Sequence, residues 1–125
     1  EHVYIPDAEY GGEMRRKPVY RSVTLGGRVI YAFGLNAALS YEDQSTGADI
    51  LGTVMARLRT AHPEVYPCVL NQVHDEVGFE VPDAQVESAG RVIRETMVSC
   101  AEQFLMPFGV HAECSLAVGQ TWQKD

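Results

Sequence analysis

The stretch CVLNQVHDEVGFEV, Cys68 to Val81, places three ionisable or metal-competent side chains, His74, Asp75 and Glu76, between two apolar runs. Short runs rich in Val and aromatic residues on both sides of a polar triplet predict a β-hairpin, YPCVLNQV and EVGFEV, with the triplet at its tip. A carboxylate at a hairpin tip keeps its hydration, so holding it ionised costs little. Strand register decides which face each side chain takes, and the sequence leaves it open because a slip of one residue reverses every face.

The pattern continues outward on both sides. Downstream, Asp83 is placed to cap a helix whose stripe Val86, Ala89, Ile93, Met97, Cys100 and Phe104 follows the 3.6-residue period and ends near Pro107 and Gly109. Val110, Ala112, Cys114, Leu116 and Val118 then alternate with His111, Glu113, Ser115 and Ala117, the pattern of a strand with one buried face. Upstream, Ser40 and Asp43 resemble a capping box, and Ala48, Leu51, Met55 and Leu58 recur at helical spacing until Pro63, predicting a helix over about 41–61. PVYRSVTLGGRVIYAF sets β-branched and aromatic residues on both sides of Gly26-Gly27, predicting a basic hairpin. EHVYIPDAEYGGEMRR shows neither period, so residues 1–17 are expected to be an irregular arm, and the chain reads as a segment of something larger. The fold class is α+β, an antiparallel sheet with helices packed on one face.

Composition sets the bounds. A chain of 125 residues, 46% hydrophobic, is the size of one domain. No apolar run approaches the ~20 residues of a membrane-spanning helix, and the first residues do not resemble a secretory leader, so a soluble protein without a membrane partner is expected. Three widely spaced cysteines, Cys68, Cys100 and Cys114, argue against a disulfide framework or a zinc site and for reduced core residues in a cytoplasmic compartment. A formal charge of −7 opposes a simple nucleic-acid-binding module, whose affinity comes mainly from Lys and Arg, so any DNA role must rest on a local site or on a basic partner. The basic residues Arg15, Arg16, Lys17, Arg21 and Arg28 gather near the start, while acids dominate from Glu64 onward.

The motifs carry a family resemblance. QVHDEV between two apolar strands is similar to the third sequence motif of family A DNA polymerases. QSTGADI, with Gln44 standing 31 residues before Asp75, resembles their Q-G-T-A-A-D helix at matching spacing. TLGGRV resembles the family's T-L-x-G-R turn, and LAVGQTW its closing V-G-x-x-W, with Trp122 as the aromatic. The short interval from TLGGRV through NAALSYEDQSTGA is similar to phage replicative members, which would place the protein in a host cytoplasm. The resemblance covers residues 18–125 and implies the C-terminal part of a polymerase palm. The family's D-Y-S-x-I-E-L-R motif and its fingers helix R-x-x-x-K-x-x-x-F-G-x-x-Y-G have no counterpart among the 125 residues. A split subunit or a cleavage fragment, completed by the remainder of the polymerase with fingers, thumb and first carboxylate motif, fits that pattern.

What the resemblance implies chemically is a two-metal nucleotidyl transfer on primer–template DNA and a deoxynucleoside triphosphate. Asp75 would be a Mg²⁺ ligand, with Glu76 binding or tuning the metal beside it and the second essential Asp on the missing segment. Gln44 and Gln72 would donate to the minor-groove acceptors that every correct base pair presents. His74 would contact the primer end and Arg28 a phosphate, with Arg21 and Arg15-Arg16-Lys17 as weaker phosphate candidates. Taken singly, the triplet also reads as a solvated turn, Gln44 as a helix-surface amide, Gln72 as a cross-strand hydrogen-bonding residue and Arg28 as part of a surface cluster. Two other classes stay open: a metal-dependent nuclease, for which Glu42, Asp43 and Asp49 would have to supply further carboxylates, and a non-catalytic palm-like scaffold.

Overall fold

The computed structural model describes residues 2–7, 11 and 13–121, with side chains for residues 11 and 18–121. The chain divides into two compact units, Glu1–Thr46 and Gly47–Asp125.

In the first unit β1 (His2–Asp7) and β2 (Glu13–Pro18) pair antiparallel, from His2 opposite Pro18 to Asp7 opposite Glu13. The expected irregular arm is therefore a hairpin. Its pairing escaped the sequence reading because β2 is EMRRKP, a run without apolar alternation that a ladder of backbone groups accepts regardless. The anticipated basic hairpin is present as β3 (Tyr20–Val23) and β4 (Val29–Ala32), with Val23 opposite Val29. Its turn carries Gly27 at φ +84°, a left-handed conformation that glycine takes without a Cβ penalty. Val19 and Ala32 are buried in this unit.

The first helix, α1 (Leu35–Ala61), is 27 residues long and begins six residues before the expected start. Gly34 at φ +124° precedes it, and the Ala38 amide donates to the Gly34 carbonyl at 3.0 Å. Ser40 is thus inside the helix and caps nothing; its hydroxyl donates back to the Asn36 and Ala37 carbonyls at 3.2 and 3.3 Å. Asn36-Ala37-Ala38-Leu39 is good helical sequence without an apolar stripe, so periodicity missed it.

The second unit holds the hydrophobic core. Val54, Leu58, Val65, Ala89, Ile93 and Cys100 form a buried cluster, with Met55, Phe79, Val81, Val92 and Met97 packed around it. Full burial of a Leu or Val contributes about 1.5–3 kcal/mol relative to leaving it exposed, so this cluster is a substantial source of the unit's stability. The predicted stripe of α2 (Val86–Leu105) is confirmed in Ala89, Ile93 and Cys100, and Arg57 Nη1 donates to Ser99 Oγ at 2.9 Å across the two helices. On α1, Leu51 and Leu58 are buried as expected, but Ala48 is exposed and Val54 takes its share of the core. Asp83 does not cap α2. It opens a short 3₁₀ turn, Asp83–Gln85, that puts Gln85 at the N-cap with no side-chain bond.

Between the helices β5 (Val69–Val73) pairs antiparallel with β6 (Glu76–Phe79), the hairpin predicted around the polar triplet. Gly109, at φ +72°, ends the short helical turn after α2. From there residues 110–119 form no ladder, so the expected terminal strand is absent among the described residues. The alternation survives in burial only over residues 111–115: His111, Glu113 and Ser115 are exposed, while Ala112 and Cys114 are half-buried, the latter's Sγ 3.7 Å from Met97 Sδ; Val110, Leu116 and Val118, expected on the buried face, are exposed. A ladder needs a partner strand as well as a pattern, and each described strand pairs within its own hairpin. The α+β class stands, built on three two-stranded antiparallel ladders in place of one sheet. The three cysteines are free thiols, and no helix of the described residues is long and apolar enough to cross a membrane.

Candidate functional site

The register of the β5–β6 hairpin settles what the sequence left open. Val73 stands opposite Glu76, Gln72 opposite Val77, and Asn71 opposite Gly78, leaving His74 and Asp75 as a two-residue turn. Residues directly opposite share a face, so Asn71, Val73, Glu76 and Gly78 lie on one face and Gln72 with Val77 on the other. Between Val69 and Asn71 the register shifts by one, with Leu70 as the extra residue of a bulge. The bulge changes the phase of β5 and so decides the face on which Gln72 emerges. Gly78 leaves room there: a Cβ on it would stand 2.5 Å from Asn71 Oδ1.

His74 has φ +54°, the one positive value among non-glycine described residues. Two-residue hairpin loops demand positive φ, and a side chain in that region costs about 1–2 kcal/mol. Strain is therefore stored next to Asp75, at the tip of a hairpin whose base packs on the core through Phe79. Gln72, His74, Asp75 and Glu76 are all exposed to solvent. Asp75 and Glu76 are adjacent hard oxygen donors, a partial fit to a divalent cation that keeps several of its waters. Among the described residues no three His, Cys, Asp or Glu side chains converge to complete a metal site.

Gln44 and Arg28 belong to the first unit, where the β3–β4 turn meets α1. Gln44 is exposed on the helix. Arg28 Nη2 donates to the Ser45 carbonyl at 3.1 Å, the Leu25 amide donates to Thr46 Oγ1 at 3.3 Å, and Ser22 Oγ donates to Glu42 Oε2 at 3.1 Å. The turn closes on itself through Gly27 N–H to the Thr24 carbonyl at 2.9 Å and Arg28 N–H to Thr24 Oγ1 at 3.1 Å. Thr24 and Thr46 are buried. Both stand inside the motifs TLGGRV and QSTGADI, where a hydroxyl between motif residues carries no sequence signal and shows its value only once it is buried.

The structure thus gathers the sequence-predicted residues into two groups: Gln72, His74, Asp75 and Glu76 on one hairpin, and Arg28 with the Gln44 turn in the other unit. Arg21 is exposed on β3, and the remaining histidines with described side chains, His62 and His111, pair with Glu64 and Glu102 at 3.6 and 3.5 Å. The side chains of Arg15, Arg16 and Lys17, and all of Trp122, lie outside the described residues.

Asp75 in the hairpin turn and Glu76 at the start of β6 set two adjacent carboxylates at an exposed tip, in an α+β chain with a glutamine-bearing helix. Residues 13–124 match the sequence model of DNA polymerase family A, and the chain belongs to that family. It is similar to DNA polymerase I of Chloroflexus aurantiacus, 33% identical over 89 residues, which is 70% of this chain and 9% of that protein. Thermostable DNA polymerase I of Thermus aquaticus is 30% identical over 79 residues, 63% of this chain and 9% of that protein. DNA polymerase I of Aquifex aeolicus is 26% identical over 115 residues, 90% of this chain and 20% of that protein. The chain therefore spans between 9% and 20% of the length of these bacterial relatives. No solved structure matches it.

Proposed function

We propose that the chain is the C-terminal palm portion, residues 18–125, of a template-directed DNA polymerase acting in the cytoplasm. The observation that carries this reading is the exposed Asp75-Glu76 pair at the hairpin turn of a family A chain. Asp75 is a ligand for Mg²⁺ and Glu76 a weaker ligand or a partner through water; the bound ions would offset the charge that develops on the transferred phosphoryl group. Gln44 and Gln72 donate amide hydrogens to purine N3 and pyrimidine O2, which tests pair geometry without reading sequence. His74 contacts the primer end, and Arg28, exposed beside the Gly26-Gly27 turn, contacts a DNA phosphate. The partners are primer–template DNA, the incoming deoxynucleoside triphosphate and the polymerase segments bearing fingers, thumb and the first carboxylate motif. The likeness to phage replicative members rests on the short TLGGRV-to-QSTGADI interval alone.

The nuclease alternative needs a third acid near Asp75 and Glu76, and the described residues offer no such cluster. The deciding experiment is primer extension in Mg²⁺ by the 125-residue chain alone, by the complementary polymerase segments alone, and by the mixture. Activity in the mixture only, reduced at least about 10²–10³-fold by Asp75→Ala with folding intact, is the expected result. Full incorporation by the Asp75→Ala assembly would refute the assignment, and templated synthesis by the chain alone would refute the shared site.

A further inference from the structure

We propose that the β3–β4 turn is a clasp that positions Gln44, with Thr46 and Thr24 as its positioning residues; the inference rests on the minor-groove reading of Gln44. Three contacts from the hairpin bracket this residue on the helix: Ser22 Oγ to Glu42 Oε2 before it, and Arg28 Nη2 to the Ser45 carbonyl and the Leu25 amide to Thr46 Oγ1 after it. Among the described residues of the unit, the two threonines are the buried polar side chains, at 4% and 7% exposure. A buried hydroxyl without a partner is costly, so these groups hold their geometry strictly. Thr24 organises the turn by accepting the Arg28 amide, which in turn directs the Leu25 amide and the Arg28 side chain at α1.

The helix needs such a clasp here. Ser40, Ser45, Thr46, Gly47 and Gly52 are weak helix formers, so the middle of α1 is intrinsically soft. An amide that must meet a base-pair acceptor within a few tenths of an ångström cannot be carried on a turn that frays. The hydrogen bonds from the hairpin are directional, and they fix the rotation of the helical turn as well as its position.

The test uses the complete polymerase and compares extension from matched and mismatched primer ends for Gln44→Ala, Thr46→Val, Thr46→Ser and Leu25→Pro, with thermal melting alongside. Thr46→Val removes the acceptor, while Leu25→Pro removes the donor at a turn position that proline favours, so one hydrogen bond is deleted from either side. Both should shift the matched-to-mismatched ratio of kcat/KM in the direction of Gln44→Ala, roughly five-fold, the scale of one net hydrogen bond. Thr46→Ser should keep the parental ratio, and Thr46→Val should add nothing in a Gln44→Ala background. Lower melting with a parental ratio in both variants would make the clasp merely structural and overturn the proposal, as would full additivity with Gln44→Ala. A parental ratio in Gln44→Ala itself would overturn the minor-groove reading and the clasp with it, whereas a shift confined to Gln44→Ala would overturn the clasp alone.

Discussion

The two segments that bear the candidate site residues are held by opposite means. The Asp75 hairpin is anchored at its base by apolar packing, Phe79 and Val81 against the cluster of Val54, Leu58, Val65, Ala89, Ile93 and Cys100, and its tip is exposed to solvent. The Gln44 turn is anchored by hydrogen bonds from a neighbouring hairpin, with two buried threonines at their centre. Apolar packing is strong but non-directional, so it fixes where the hairpin is and leaves its side-chain faces to the register and the bulge. Hydrogen bonds are weaker in net terms but directional, which suits a residue whose orientation matters.

This comparison predicts a hierarchy of effects. The largest belongs to the apolar anchor: Leu58→Ala, at a fully buried site, should cost about 2–5 kcal/mol in denaturant unfolding of the chain. A loss no greater than the ~1 kcal/mol expected for Thr46→Val would erase the distinction between the two anchors.

The same core should respond to alkali. Burial pushes the Cys100 thiol up from its ordinary value of 9.0, more than the opposing pulls of Arg57 and the Ser99 hydrogen bond. The folded pKa therefore lies above the unfolded one. Stability is unaffected below about 9, then falls as the unfolded chain ionises, until pH passes the raised folded value. Unfolding midpoints followed through this range should decline for the parent and stay flatter for Cys100→Ala. Equal slopes would mean that another group controls the alkaline arm.

Smaller effects sharpen the contrast. Gly52 is exposed on α1 with open space where a Cβ would go, so Gly52→Ala should raise stability by up to about 1 kcal/mol, read from the unfolding midpoint. The smallest change concerns the strained tip: His74→Gly should relieve the positive φ and alter stability by no more than about 1 kcal/mol, since a more flexible unfolded chain offsets part of the relief. A large destabilisation would show that the tip is anchored by more than its turn.

Much of this architecture was legible because periodicity is local. The stripe of α2, the Gly26-Gly27 hairpin and the polar tip at His74–Glu76 all follow from spacing and residue type. Capping at Ser40 and Asp83 was misread because the same side chains serve inside helices and 3₁₀ turns, and only the backbone path separates the cases. The β1–β2 ladder was invisible because backbone pairing asks nothing of the charged side chains on β2.

The sequence by itself determined the α+β class, the family, and the residues that bear charge or amide groups at the motif positions, because composition, period and motif spacing are properties of the chain alone. Tertiary structure alone decided that Gln72 and Glu76 emerge on opposite faces, that Thr24 and Thr46 are buried beside the Gln44 turn, and that residues 110–119 form no ladder and leave Val110, Leu116 and Val118 exposed. Each of these depends on register, burial or a partner strand, and those arise only when segments distant in the chain are brought into contact.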